Sequence, residues 1–168
     1  YGGAIQIGRD EYNLCSYVVN CSFINNGAIG RNLNNSHGGA GCVRAGIIYQ
    51  NCKFINNSAG QGGALTYHAS GSIEDCVFIN NSAKLYGGAL STGYIDMDMN
   101  LKVANCNFEQ NNAPYGGAVQ LKGKNIEIQK STFNKNVASV NGGAVNIIAK
   151  TVTIDDVDFN KNIANYNY

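Results

Sequence analysis

Hydrophobic and polar residues alternate with period two along most of this chain, in short runs broken by Gly, Asn and Asp. Gly-Gly-Ala-Val-x-Leu, with Val119 and Leu121, is one such run. Asn125-Ile126-Glu127-Ile128 and Thr151-Val152-Thr153-Ile154 are a second type, and Cys-x-Phe-x-x-Asn a third. Period two is the signature of a strand with two unlike faces. The Gly, Asn and Asp between the runs suit turns, because they tolerate left-handed backbone or satisfy it with a short side chain. The pattern predicts short strands and turns.

The runs recur, and the recurrence decides the fold class. Gly-Gly-Ala begins at Gly2, Gly38, Gly62, Gly87, Gly116 and Gly142. Between these lie Phe23, Phe54, Phe78, Phe108, Phe133 and Phe159. Three residues after each Phe comes Asn26, Asn57, Asn81, Asn111, Asn136 or Asn162, and five after it an Ala. Two before it stand Cys21, Cys52, Cys76 and Cys106, then Ser131 and Val157. The Phe spacings are 31, 24, 30, 25 and 26 residues. A period near 25 is too short for two-helix repeats of roughly 33 to 47 residues. The expected fold is all-β: a single-stranded right-handed parallel β-helix, or β-solenoid, of about six coils with three short strands each. Its hand follows from the preference for right-handed crossovers. Stacked coils ~4.8 Å apart would line up the Phe, Cys and Asn as core ladders. The Asn ladder would sit in a bend, bonding backbone and its own copies. The Gly pair suits a corner with positive φ or no room for a side chain.

Residues 1–168 read as one β-helix domain. Where the period is exceeded, outward loops are expected, near 8–14, 27–37 and 93–100. The first and third of these insertions share a phase and should leave the same edge. The chain opens on Tyr1-Gly2-Gly3-Ala4, inside the motif, which reads as a piece of a longer precursor. After Ala164 it runs Asn165-Tyr166-Asn167-Tyr168, where a further Gly-Gly-Ala would fall.

Composition narrows the partners. Net charge is +1 and 14% of residues are charged, without the Lys and Arg clusters that phosphate binding requires. Nucleic acid is therefore not an expected partner. No apolar run approaches the ~18 residues of a membrane helix, so no membrane insertion is expected within this segment. No cofactor is expected.

The paired motifs Gly-Gly-Ala-[Ile/Leu/Val] and Phe-x-x-Asn resemble the repeats of the polymorphic outer-membrane adhesins of chlamydiae. They are equally similar to adhesin-like β-helix proteins of methanogenic archaea, with Cys-x-Phe-x-x-Asn-x-x-Ala spacing. The resemblance runs from Tyr1 to about Asn165. It implies surface display and adhesion, and brings no catalytic residues with it.

Candidate chemistry is sparse. The ladder cysteines read as free, buried, small apolar residues. Cys15 and Cys42 fall off the ladder, and a bridge between them is the alternative to free thiols. Asp96, Asp98 and Asn100 alternate like the start of a calcium loop, but lack the Gly and the closing Glu, so no metal site is assigned. The acids are scattered, with Asp75 and Asp156 in a turn column, whereas sugar-cleaving β-helices need convergent carboxylates. His37 and His68 read as surface residues. Of four Asn-x-Ser sequons, Asn34, Asn56 and Asn80 are the ones most able to carry glycan, with unmodified Asn as the alternative, and Asn20 sits at a corner. Ile24, Ile55 and Ile79 follow the Phe residues, so they face outward as a docking stripe, unless the 27–37 loop covers them. Tyr12, Tyr17, Tyr49, Tyr67, Tyr86, Tyr94 and Tyr115 are read as outer positions suited to sugar or protein contacts, with packing of several of them as the alternative.

The expected function is that of a non-enzymatic, extracellular, cell-surface adhesin-like protein. Its partners would be a protein or glycan on a host or neighbouring cell. The alternative is a self-assembling subunit whose copies stack head to tail into a filament. A polysaccharide lyase or hydrolase is the weakest of the three readings.

Overall fold

The computed structural model describes residues 2–8, 15–30, 32–93 and 98–166. They form a parallel β-solenoid with three sheets. The first sheet carries two ladders. One contains Ile5–Ile7, Gly41–Val43, Leu65–Tyr67 and Leu90–Thr92. The other contains Ser16–Val19, Ile47–Gln50, Gly71–Glu74 and Asn100–Ala104. In the last two coils they merge into the 11-residue strands Val119–Gln129 and Val145–Asp155. The positions 8–14 and 93–100 both fall between the two ladders of this sheet, at the same phase of the coil. Residues 9–14 and 94–97 within them lie outside the described residues.

The second sheet has six strands, Ser22–Ile24, Lys53–Ile55, Val77–Ile79, Asn107–Glu109, Thr132–Asn134 and Asp158–Asn160, with the Phe residues in register. The third has five: Ser58–Gln61, Ser82–Tyr86, Asn112–Tyr115, Val137–Asn141 and Ile163–Ala164. Two of the three expected strand types thus share one sheet. The third sheet arises from a stretch that reads as turn, because its Ser, Ala, Gly and Pro side chains show no hydrophobic alternation.

Each bend has a residue suited to it. Between the first and second sheets stand Asn20, Asn51, Asp75, Asn105, Lys130 and Asp156, with φ from 46° to 57°. Between the second and third stand Asn25, Asn56, Asn80, Gln110, Lys135 and Lys161, with φ from 52° to 59°. The bend from the third sheet to the first uses glycine. The first Gly of the pair has positive φ, from 53° to 65° at Gly38, Gly62, Gly87, Gly116 and Gly142. The second meets its copy in the next coil: a Cβ at Gly63 would lie 2.0 Å from the Gly88 carbonyl oxygen. The two roles of the Gly pair are therefore divided between its members.

The core is a stack of ladders. Adjacent Phe rings lie parallel, with centroids 4.7–5.2 Å apart from Phe23 to Phe159. Fully burying each ring stabilises by roughly 1.5–3 kcal/mol. Asn57, Asn81, Asn111 and Asn136 are wholly buried. Each Nδ2 donates to a Phe carbonyl of the preceding coil and to the Asn Oδ1 of the next. Tyr49 and Tyr67 are wholly buried too and meet edge to face at 6.2 Å, so neither is an outer contact residue. Their place in the alternation explains this: Tyr49 pairs with Ile73 and Val18, and Tyr67 follows Leu65 by two.

The cysteine column does more than fill space. Cys76 Sγ donates to the Glu74 carbonyl at 3.1 Å and accepts from the Cys52 N–H at 3.4 Å. Ser131 Oγ makes the same two bonds, at 2.7 Å to Gln129 and 3.1 Å from Cys106 N–H. A small donor-acceptor fits this corner, which is why Ser can follow Cys. Burial pushes the Cys52 thiol up to about 11, so it stays protonated and keeps its hydrogen to donate. All six cysteines, Cys15 and Cys42 included, are free thiols in this structure. Cys42 is buried in the first ladder of its sheet, whereas Cys15 is exposed before the strand that starts the second.

Candidate binding face

The third sheet lacks a sixth strand because the 27–37 insertion interrupts it. Gly27 bridges to Ser58 and His37 bridges to Gln61, so both ends of the insertion pair with the same strand. The residues between loop out. Asn32 caps a short 3-10 turn at Leu33–Asn35, its side chain accepting the Asn34 N–H at 2.9 Å. Ser36 docks the loop: its carbonyl accepts from Gln61 N–H at 2.8 Å and its Oγ from Gly60 N–H at 3.1 Å. The same Oγ donates to the Ala28 carbonyl. The loop lies so close that a Cβ at Gly60 would come within 2.1 Å of the Leu33 carbonyl oxygen.

This insertion closes one end of a groove of about 370 Å³ on the third sheet. Ile29, Gly30 and Leu33 form that end. Ser58, Ser82, Asn112, Lys84, Pro114 and Ser139 line its length over successive coils. Ile29 is 99% exposed and Leu33 44% exposed, so the loop presents bare apolar tips beside a polar trough. On the same sheet the Tyr86 and Tyr115 rings lie tilted at 42°, centroids 5.5 Å apart, both half-buried.

The insertion also brings two histidines together. His37 and His68 lie edge to face with centroids 4.9 Å apart. His37 Nδ1 and His68 Nε2 are buried without a hydrogen-bond partner. Burial, then the neighbouring His68, hold His37 down to about 4. Burial and Arg44 lower His68 as well. Read in sequence as surface residues, they are partly buried and packed together. Only the coil period could have signalled it, since His37 falls one coil below the phase of Gln61.

Other expected site residues lie apart. The Ile stripe faces outward: Ile24 is half exposed, Ile55 and Ile79 are partly so, and the 27–37 loop lies on the third sheet instead of covering them. Asn34, Asn56 and Asn80 are exposed, and Asn80 Nδ2 donates to Asn56 Oδ1 at 2.7 Å. Asp96 lies outside the described residues. Asp98 pairs with Lys124 at 3.8 Å, and Asn100 Oδ1 accepts from Asn125 at 2.7 Å. Among the described residues no three His, Cys, Asp or Glu converge as a metal site, and no helix is long and apolar enough to cross a membrane. Tyr17 is exposed, and Tyr12 and Tyr94 lie outside the described residues.

Two stretches, residues 75–93 and 130–147, match the Chlamydia polymorphic membrane protein repeat. Those two stretches carry repeats of that kind. Each stretch holds one Phe-x-x-Asn and the Gly-Gly-Ala that follows it, the two motifs that set the bends and ladders above. No curated protein and no solved structure matches the chain.

Proposed function

We propose that this chain is a non-enzymatic, adhesin-like protein of a cell surface, and that its contacts are made by the 27–37 insertion and the groove it closes. The observation that carries the contact site is the near-complete exposure of Ile29 at the rim of that groove. An apolar side chain held away from its own core, beside a polar trough, suits capture of a partner surface. The repeat supports display at a surface, since the matching family is named for membrane proteins. The partner is a surface protein or glycan of a host or neighbouring cell.

The test is binding of purified chain to cells and to a glycan array. Ile29→Asp with Leu33→Asp should lower binding at least tenfold, while Ile24→Asp on the second sheet leaves it within twofold. Equal losses for both changes, or none for either, would sink the assignment. Filaments in electron micrographs of the same material would favour head-to-tail assembly instead.

A further inference from the structure

We propose that His37 and His68 form an acid-sensitive latch that holds the 27–37 insertion against the solenoid and lets go when the pair is protonated. The proposal concerns regulation of the binding face and rests on that reading for its biological sense, though not for its physics.

The geometry supplies the latch. His37 is the last residue of the insertion, and His68 follows the strand Leu65–Tyr67 on the solenoid wall. Their edge-to-face contact therefore joins loop to shaft. His68 is fixed from below, because its ring lies across Gly93, where a Cβ would come within 1.9 Å of it. Its backbone is fixed too, its N–H donating to the Val43 carbonyl at 2.8 Å. The rest of the docking is light. Gly60 and Gln61 give the loop three hydrogen bonds, including Gln61 Nε2 to the Asn34 carbonyl at 3.3 Å, and the 3-10 turn buries no residue. Segments with few buried apolar contacts open locally at small free-energy cost. A modest electrostatic change is therefore enough to shift this one.

Charge sets the direction. The charge acting on both rings is Arg44, in the turn after Gly41–Val43. Gln61 and Gly93, the neighbours on the other sides, carry none. A proton on either ring faces positive charge and a partly buried site. Both groups are lowered in the docked state, His37 to about 4, against ~6.5 for a solvated imidazole. The undocked loop thus takes up protons first. Docking is at full strength above pH ~6.5 and is lost as pH falls toward 4. The His37 shift taken whole would bias the equilibrium by a few hundredfold, and its half-exposed setting reduces that to about tenfold.

The experiment is amide exchange and imidazole titration by NMR on the full chain, with no ligand. Exchange rates are corrected for the intrinsic effect of pH. Protection of the Leu33 to His37 amides should fall about tenfold between pH 7 and pH 4, while Ala113 and Ala138 of the third sheet keep theirs. The His37→Gln/His68→Gln double variant should show no such step. Unchanged loop protection through pH 4, an equal step in the double variant, or simultaneous loss at Ala113 would each overturn the latch. Because nothing binds in this assay, a failed adhesion experiment leaves its outcome untouched.

Discussion

At the scale of single residues, this solenoid relies on side chains that serve the backbone of the next coil. Asn81 is the clearest case. Its Oδ1 accepts from the Asn57 N–H and Nδ2, and its Nδ2 donates to the Phe54 carbonyl and to Asn111. Asn81→Ala leaves those buried groups unpaired in two coils. Each orphaned group costs about 1–3 kcal/mol, so a loss of about 2–4 kcal/mol is expected in urea denaturation. A loss under ~1 kcal/mol would mean that the ladder is decoration. The repeated Asn announced this role in sequence, since an in-register amide has few other uses in a bend. Tyr49 and Tyr67 did not announce theirs. Tyrosine is at home on a surface or in a core, and only its phase against Ile73 and Leu65 distinguishes the two.

At the scale of elements, the bends decide how closely coils approach. Gly63 has backbone on both sides: a Cβ there would lie 2.0 Å from Gly88 oxygen and 2.5 Å from Ser82 oxygen. Neither atom belongs to a flexible side chain, so Gly63→Ala must separate two coils. A loss of about 3 kcal/mol or more is expected, against less than ~0.5 kcal/mol for Gly8→Ala, which meets nothing within 4 Å. Thermal unfolding of the two variants side by side checks this. The third sheet shows where sequence reading stopped at this scale. Its strands are held by coil-to-coil backbone bonds such as Gly116 N–H to the Asn141 carbonyl and Val137 N–H to the Asn111 carbonyl. Backbone bonds leave no trace in the alternation of side chains.

At the scale of the whole molecule, strands pair with those of neighbouring coils among the described residues, as in other solenoids, so stability is close to a sum over rungs and interfaces. Position along the axis should then set the cost of one change at one repeat site. Phe108 is wholly buried between Phe78 and Phe133, while Phe159 is half exposed on the last described coil. Phe108→Ala should cost about 3–5 kcal/mol and weaken the whole array. Phe159→Ala should cost roughly half as much, with hydrogen exchange rising only in the coil around it. Equal costs would contradict the rung-by-rung picture. The sequence by itself determined the repeat, the strand character of its motifs and the ladders of Phe and Asn, because each is written once per coil in side-chain type and spacing. Only the tertiary structure decided which sheet each strand joins, which tyrosines turn inward and where the 27–37 insertion folds. It alone brought His37 to His68. Those outcomes depend on which coil lies beside which and on the angle of each bend, so residues 31 apart become neighbours through backbone geometry that no local pattern encodes.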